Sequence, residues 1–275
     1  MSLTSNNENE INFKEIFNVI WSGKYLVISF FTFFAISSIF FSLSLPDKYQ
    51  SSIILMPTSQ ESEIGNMTNS FSGIAGLAGV SLDSGDVSKK DVGLQIIKSR
   101  SFISDFIERR DILIDLMASE DWDRNKDQVV INQKLYDSKS SKWVRKVRYP
   151  QTIKPSSQEA YDHWTNKVFS MSEDPKTQFI TISITHHSPN IAKNWTNWLV
   201  NDVNEYIRSN DVKEADLIIE YLEGELKKNI PDELKSLLFN IISSKMKVKM
   251  LAYSRDQYLF KTLDSPIAPE KKISP

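Results

Sequence analysis

Few residues in this chain have types and spacings that could do chemistry. Asp121-Trp122-Asp123 sets two carboxylates one residue apart, the loose D-x-D spacing with which a metal-dependent glycosyltransferase holds a divalent cation on a nucleotide diphosphate. No nucleotide-binding α/β unit surrounds it, and a solvated loop accounts for the same residues. His186-His187 is the only adjacent histidine pair. Neighbours on a strand point to opposite faces, which keeps the pair from sharing one metal ion. His163 stands alone in the sequence. The chain has no cysteine, which removes thiolate nucleophiles, thiolate metal sites and disulfides. There is no Gly-x-Ser-x-Gly element, and no Gly-Lys-Ser/Thr follows the glycines. Trp195 and Trp198 could stack on sugars, but their helical spacing favours a helix core or a subunit interface. The residues therefore assign no catalytic side chain, no cofactor and no metal.

The elements that would position these residues give more. The 275 residues are 40% hydrophobic and 25% charged, with a formal net charge of -2. That is a foldable chain with no basic excess for nucleic acid. Mean hydropathy is -0.32, so any membrane part is local. Residues 25–45 are that part, reading YLVISFFTFFAISSIFFSLSL without a charge. As a helix they would run about 31 Å, the thickness of a hydrocarbon core. Trp21 and Tyr25, with Lys24 between them, sit where interfacial anchors sit, and Pro46 ends the run. A core helix would show a polar face. A cleaved leader would have a basic start and a shorter apolar stretch, although Ser42-Leu43-Ser44 resembles a cleavage site. The reading is a transmembrane helix at 25–45 after a short cytoplasmic segment, 1–24.

Beyond the span, 48–56 is rich in strand formers. Residues 59–90 are a glycine- and serine-rich loop with a small apolar run at 74–80. Residues 91–117 read as two short helices, the second carrying a Phe102, Ile103, Phe106, Ile107 stripe capped by Ser99 or Ser101. Helices are also expected at 125–135 and 156–167, and a strand at 142–149. Residues 168–185 read as a hairpin turning at Asp174-Pro175-Lys176-Thr177. Ser188-Pro189 opens a helix expected to run to Asn229, about 60 Å, with a weak point at Ser209-Asn210-Asp211. A second helix restarts at Pro231, and residues 258–263 return as a strand into a proline-punctuated end. An apolar stripe on so long a helix must be covered by another segment or another subunit.

The order of these elements resembles the Wzz family, the polysaccharide co-polymerases that set lipopolysaccharide O-antigen chain length. The resemblance rests on the span followed by Asp47-Lys48-Tyr49, on LQIIKSRSF at 94–102, and on EDPKTQFITISITHHSPNIAKNW from Glu173. It continues with Asn201-Asp202-Val203-Asn204-Glu205, Tyr221-Leu222-Glu223, Tyr258-Leu259-Phe260-Lys261 and the proline-rich end from Asp264. It implies an α+β protein: a membrane-proximal α/β base (46–187), a helical protrusion (188–257), and a return strand with a proline-rich end (258–275). The family has a second span directly after that end, which this sequence does not contain. The resemblance also implies a non-enzymatic homo-oligomer of the bacterial inner membrane with its bulk in the periplasm. Its partners would be the O-antigen polymerase and the growing lipid-linked glycan. In a bacterial chain the glycosylation sequons at Asn66 and Asn194 are coincidental. The competing readings are a membrane-tethered enzyme acting on a glycan or its lipid carrier, and a co-polymerase for capsule or common antigen.

Overall fold

The computed structural model describes residues 21, 23–43, 46–58 and 88–274. Residues 1–20, most of the glycine-rich loop, its apolar run 74–80 and the sequon at Asn66 lie outside them. The chain divides into two units, Met1–Pro46 with Pro275, and Asp47–Ser274.

In the first unit, helix α1 (Lys24–Leu43) has 20 residues, about 30 Å of helix. Phe31 is 76% and Phe40 70% exposed. The Thr32 hydroxyl donates to its own helix at the Ile28 carbonyl, 2.8 Å away. The Lys24 ammonium lies 5.2 Å from the Trp21 ring and 5.3 Å from the Tyr25 ring. Among the described residues no helix is long and apolar enough to cross a membrane. In α1 the side chains are described without a break only over 28–40.

The second unit is built on an antiparallel sheet of order β6-β7-β1-β8. Its strands are β1 (Tyr49–Pro57), β6 (Phe169–Glu173), β7 (Ile180–His186) and β8 (Phe260–Asp264). β1 alternates buried and open positions, as a half-covered strand does. It pairs with β7 from Tyr49↔His186 to Leu55↔Ile180, burying Ile53, Leu55, Ile180, Ile182 and Ile184. β8 covers only the far half of β1. Below it the proline-rich end runs beside the near half as a strap. Ser51 donates to the Ile267 carbonyl (2.8 Å), and Lys48 is bridged to Ser274.

The sheet is covered by helices. α2 (Lys89–Lys98) is capped by Ser88, so the expected loop gives way to helix at Lys89, one residue earlier than its expected end. α3 (Arg100–Arg109) is capped by Ser99 and buries the whole expected stripe. α4 (Leu113–Ala118) is a third helix where two were expected. The helix expected at 125–135 is a strand: β2 (Ser119–Asp123) pairs with β3 (Gln128–Ile131). Asp127 turns the corner at φ 48°, a left-handed conformation that breaks any helix there. The strand expected at 142–149 shrinks to β5 (Lys142–Trp143), paired with β4 (Tyr136–Asp137). α5 (Ser157–His163) starts with a capping box from Ser156 and Glu159 and passes into a π-helical turn, Trp164–Val168. The hairpin forms as expected, with Asp174 Oδ1 accepting from the Lys176 and Thr177 amides.

The long helix α6 (Pro189–Leu226, 38 residues) is unbroken across Ser209-Asn210-Asp211, and α7 (Asp232–Ser254) folds back along it. Asp211 is held from two sides, by the Lys89 ammonium (2.8 Å) and the Tyr258 hydroxyl (2.7 Å). Local solvation that would fray a helix is thereby replaced by tertiary partners.

Candidate functional site

Among the described residues the histidines gather at one place and the exposed apolar side chains of the long helices at a second, and neither is a catalytic constellation. The first is the sheet end where β1 begins. His186 is 5% exposed. Its Nδ1 accepts from the Ser188 amide (3.0 Å), so Nε2 carries the hydrogen and donates to the Asp115 carbonyl (3.1 Å). Burial lowers its pKa to about 4. His187 Nδ1 donates to the Asp47 carbonyl (3.0 Å), and the two rings are 5.9 Å apart. His163, solitary in sequence, joins this end: burial first, then the charges of Lys48 and Lys167, hold its pKa down. His187 is likewise lowered by burial. Three neutral imidazoles, with both His186 nitrogens committed, make a structural cluster. Among the described residues no group of three or more histidine or acidic side chains could hold a metal ion.

The Asp121-Trp122-Asp123 carboxylates shape their own hairpin. Asp121 Oδ1 accepts from the Trp122 amide, and Asp123 Oδ1 accepts from the Asn125 and Lys126 amides. Trp122 Nε1 donates to Asp127 (2.9 Å), and its ring packs edge-on against Tyr49 at 5.5 Å.

Trp195 is 1% exposed, between Trp164 (5.8 Å) and His186 (4.9 Å). That is core, not a sugar platform. Trp198 is partly buried against the same core under the Arg110 guanidinium at 5.2 Å. In the Asn194 sequon the Thr196 hydroxyl is buried and donates to the Ala192 carbonyl (2.7 Å).

The residues that matter most inside the fold were not singled out for their chemistry in the sequence. Asp202, 6% exposed, accepts from Arg109 Nη1 (3.3 Å) and Arg110 Nε (3.2 Å), with Arg110 Nη2 closing a fork. Asn204, 5% exposed, accepts from the Leu259 and Phe260 amides (2.9 Å each) and donates to the Phe260 carbonyl (3.0 Å). The Asn201–Glu205 string thus clamps α6 to α3 on one side and to β8 on the other. Its signal was two polar residues on the buried side of an amphipathic helix.

The second place is the α6/α7 hairpin. Its seam buries Ala215, Ile219, Leu222, Leu238, Leu251 and Ala252, with Lys245–Glu214 (2.9 Å) and Lys249–Asp216 bridging outside. Of the two covers open to the stripe of the long helix, another segment or another subunit, Leu222 has the first, within the chain. The open apolar positions are others: Tyr206 (42%), Leu217 (60%) and Tyr221 (66%) on α6, and Leu234 (42%), Phe239 (59%), Met246 (55%), Met250 (61%) and Tyr253 (74%) on α7. From Phe239 the α7 set recurs at steps of seven, four and three, the heptad rhythm of a helix seam. Leu217 and Tyr253 line one groove between the helices.

Residues 9–109 match the family model described as Wzz, chain length determinant protein. No curated protein sequence matches the chain. Among solved structures the chain is similar to a fragment of WzzB, a polysaccharide co-polymerase from Salmonella Typhimurium, at 14% identity and a TM-score of 0.34. That match covers 83% of this chain and 100% of the fragment. It is also similar to a full-length bacterial polysaccharide co-polymerase at 12% identity and a TM-score of 0.33, over 93% of this chain and 87% of the other. The family model spans the resemblance strings at Asp47-Lys48-Tyr49 and at residues 94–102, while those from Glu173 onward lie beyond its matched range.

Proposed function

We propose, taking the chain-length-determinant match over residues 9–109 as premise, that this chain regulates the modal length of lipopolysaccharide O-antigen. It does so as a homo-oligomer anchored in the bacterial inner membrane by residues 25–45, acting with the O-antigen polymerase on the growing lipid-linked glycan. The observation that carries the reading is the apolar stripe left open on a helical hairpin whose other side is already packed. A contiguous exposed set of that kind marks a protein–protein surface. It lies on helices rather than around a cavity with convergent donors, which suits assembly better than turnover. The anchor is supported by the charge-free run at 25–45 and by the exposure of the described apolar side chains of α1. Near Lys48 the strap brings Ser274 beside the start of β1.

The test pairs a lipopolysaccharide gel with the mass of the detergent-extracted particle, in a strain lacking its own length regulator. The chain restores a modal band. Phe239→Asp with Met250→Asp loses that band and shrinks the particle, because each buried carboxylate would cost several kcal/mol at an interface. Unchanged ladders and mass in the double variant would refute the assembly reading. Loss of all polymer on deletion would point to an enzyme instead.

A further inference from the structure

Charge in this chain is segregated. Residues 134–154 hold seven cations against one carboxylate, Asp137, so the rest of a chain of net charge -2 carries the opposite excess. Arg145 is the organiser. Its guanidinium donates to the Ile153 carbonyl (2.8 Å), the Thr152 carbonyl (2.7 Å) and the Glu159 carboxylate (2.6 Å). This ties 152–153 back to 145 and projects the segment between them as a finger. At its tip the Gln151 amide donates to the Arg148 carbonyl (2.9 Å), closing a turn around Tyr149-Pro150. Tyr149 is 98% exposed, Ile153 57% and Val144 44%. Lys134, Lys139, Lys142, Lys146, Arg148 and Lys154 are all exposed. Among the described residues none of the six has a carboxylate within ion-pair distance.

The β2–β3 hairpin that leads into the basic segment meets β1 at its start. Arg124 at the tip of the β2–β3 hairpin donates to the Tyr49 hydroxyl (2.7 Å). Trp122, against the Tyr49 ring, pairs with Val129. From Val129 the chain runs away from the hairpin tip to Asn132, roughly 10 Å on, and the basic segment follows from Lys134. Tyr49 itself is four residues past position 45, at most about 14 Å of chain.

We propose that this finger and its flanking lysines dock on the anionic headgroups of the bilayer that residues 25–45 enter. The inference rests on the membrane reading above. Lysine and arginine beside an open tyrosine and aliphatic side chains are the composition of an interfacial contact. A glycan-binding surface would instead surround its ring with fixed hydrogen-bond donors in a concavity.

The absence of native cysteine allows a single reporter. Gln151→Cys carrying an environment-sensitive dye is reconstituted as the full chain into phosphatidylcholine vesicles with and without phosphatidylglycerol. We expect a blue shift, and quenching by a headgroup-attached quencher, only with the anionic lipid and reversed by high salt. Each cation at such a surface contributes roughly fivefold to the bound-to-free ratio. Lys146→Glu with Arg148→Glu should therefore reduce it by about 25-fold or more. A dye indifferent to lipid charge, on a chain that still floats with phosphatidylcholine vesicles, overturns the finger and leaves the anchor. A response only to added acidic polysaccharide also overturns it. Flotation with anionic vesicles alone, lost on charge reversal, overturns the anchor and keeps the finger. No flotation with any vesicle overturns both.

Discussion

Asn204 shows how a single amide can hold a sheet strand to a helix. Its three hydrogen bonds reach residues 55 and 56 positions away, in a site closed to water. Asn204→Ala removes the partner of two buried N–H groups at once and should cost about 3 kcal/mol, read as a lower denaturation midpoint of the detergent-solubilised chain. His186 gives a pH signature. Its folded pKa of about 4 lies below the unfolded value of roughly 6.5. Above pH 6.5 both states are neutral and this contribution is constant. As pH falls from 6.5 towards 4 the unfolded chain takes up a proton that the folded chain refuses, and stability drops by up to about 3 kcal/mol. His163 and His187 are also lowered by burial and bend the curve the same way. The measurement is therefore a difference: His186→Asn, which supplies an amide oxygen to the Ser188 N–H, should show a shallower loss between pH 7 and pH 4.5.

At the scale of elements, what the residues disclosed was what is local. Ser188-Pro189 fixes the start of α6, and Asp174 turns the β6–β7 hairpin through its own backbone. The α3 stripe needs only its 3.6-residue period. Gln128 to Ile131 was read as helix because its strand state depends on Ser119–Asp123, a nonlocal partner. The unbroken passage of α6 through Asp211 was hidden for the same reason, since Lys89 and Tyr258 come from distant segments. The apolar stripe of the arm was visible, but which side would be covered within the chain depended on α7 and its register. That register sets a contrast between two leucines five residues apart. Leu222→Asp places a carboxylate in the α6/α7 seam and should destabilise the protomer by several kcal/mol. Leu217→Asp, on the open side, should leave protomer unfolding within about 0.5 kcal/mol of the parent while altering particle mass. Equal melting losses for both would mean that the two sides are not distinct.

On the scale of the molecule, the compact unit Asp47–Ser274 closes on itself. β1 leaves the sheet end, the chain makes its full excursion through the helices, and the strap comes back to meet it. The Lys48 amide donates to the Ser274 carbonyl (3.1 Å), the Ile273 amide to the Lys48 carbonyl (2.9 Å), and Lys272 pairs with Asp47 (2.8 Å). The fold class and the place of the long helices follow from the order of elements in the sequence. This closure does not, because a proline-punctuated tail carries no period that says what it lies against.

The closure also decides how the unit answers a pull. Tension applied between residues 47 and 274 meets two backbone hydrogen bonds, one ion pair and the His187–Asp47 hydrogen bond, the strap opening from β1 in an antiparallel geometry one rung at a time. Beyond them the strap peels from β1 before any load reaches β8, and the hairpin of α6 and α7 stays out of the force path. The contacts that close residue 47 onto residue 274 thus lie on the strap, β1 and His187, apart from the residues buried in the α6/α7 seam.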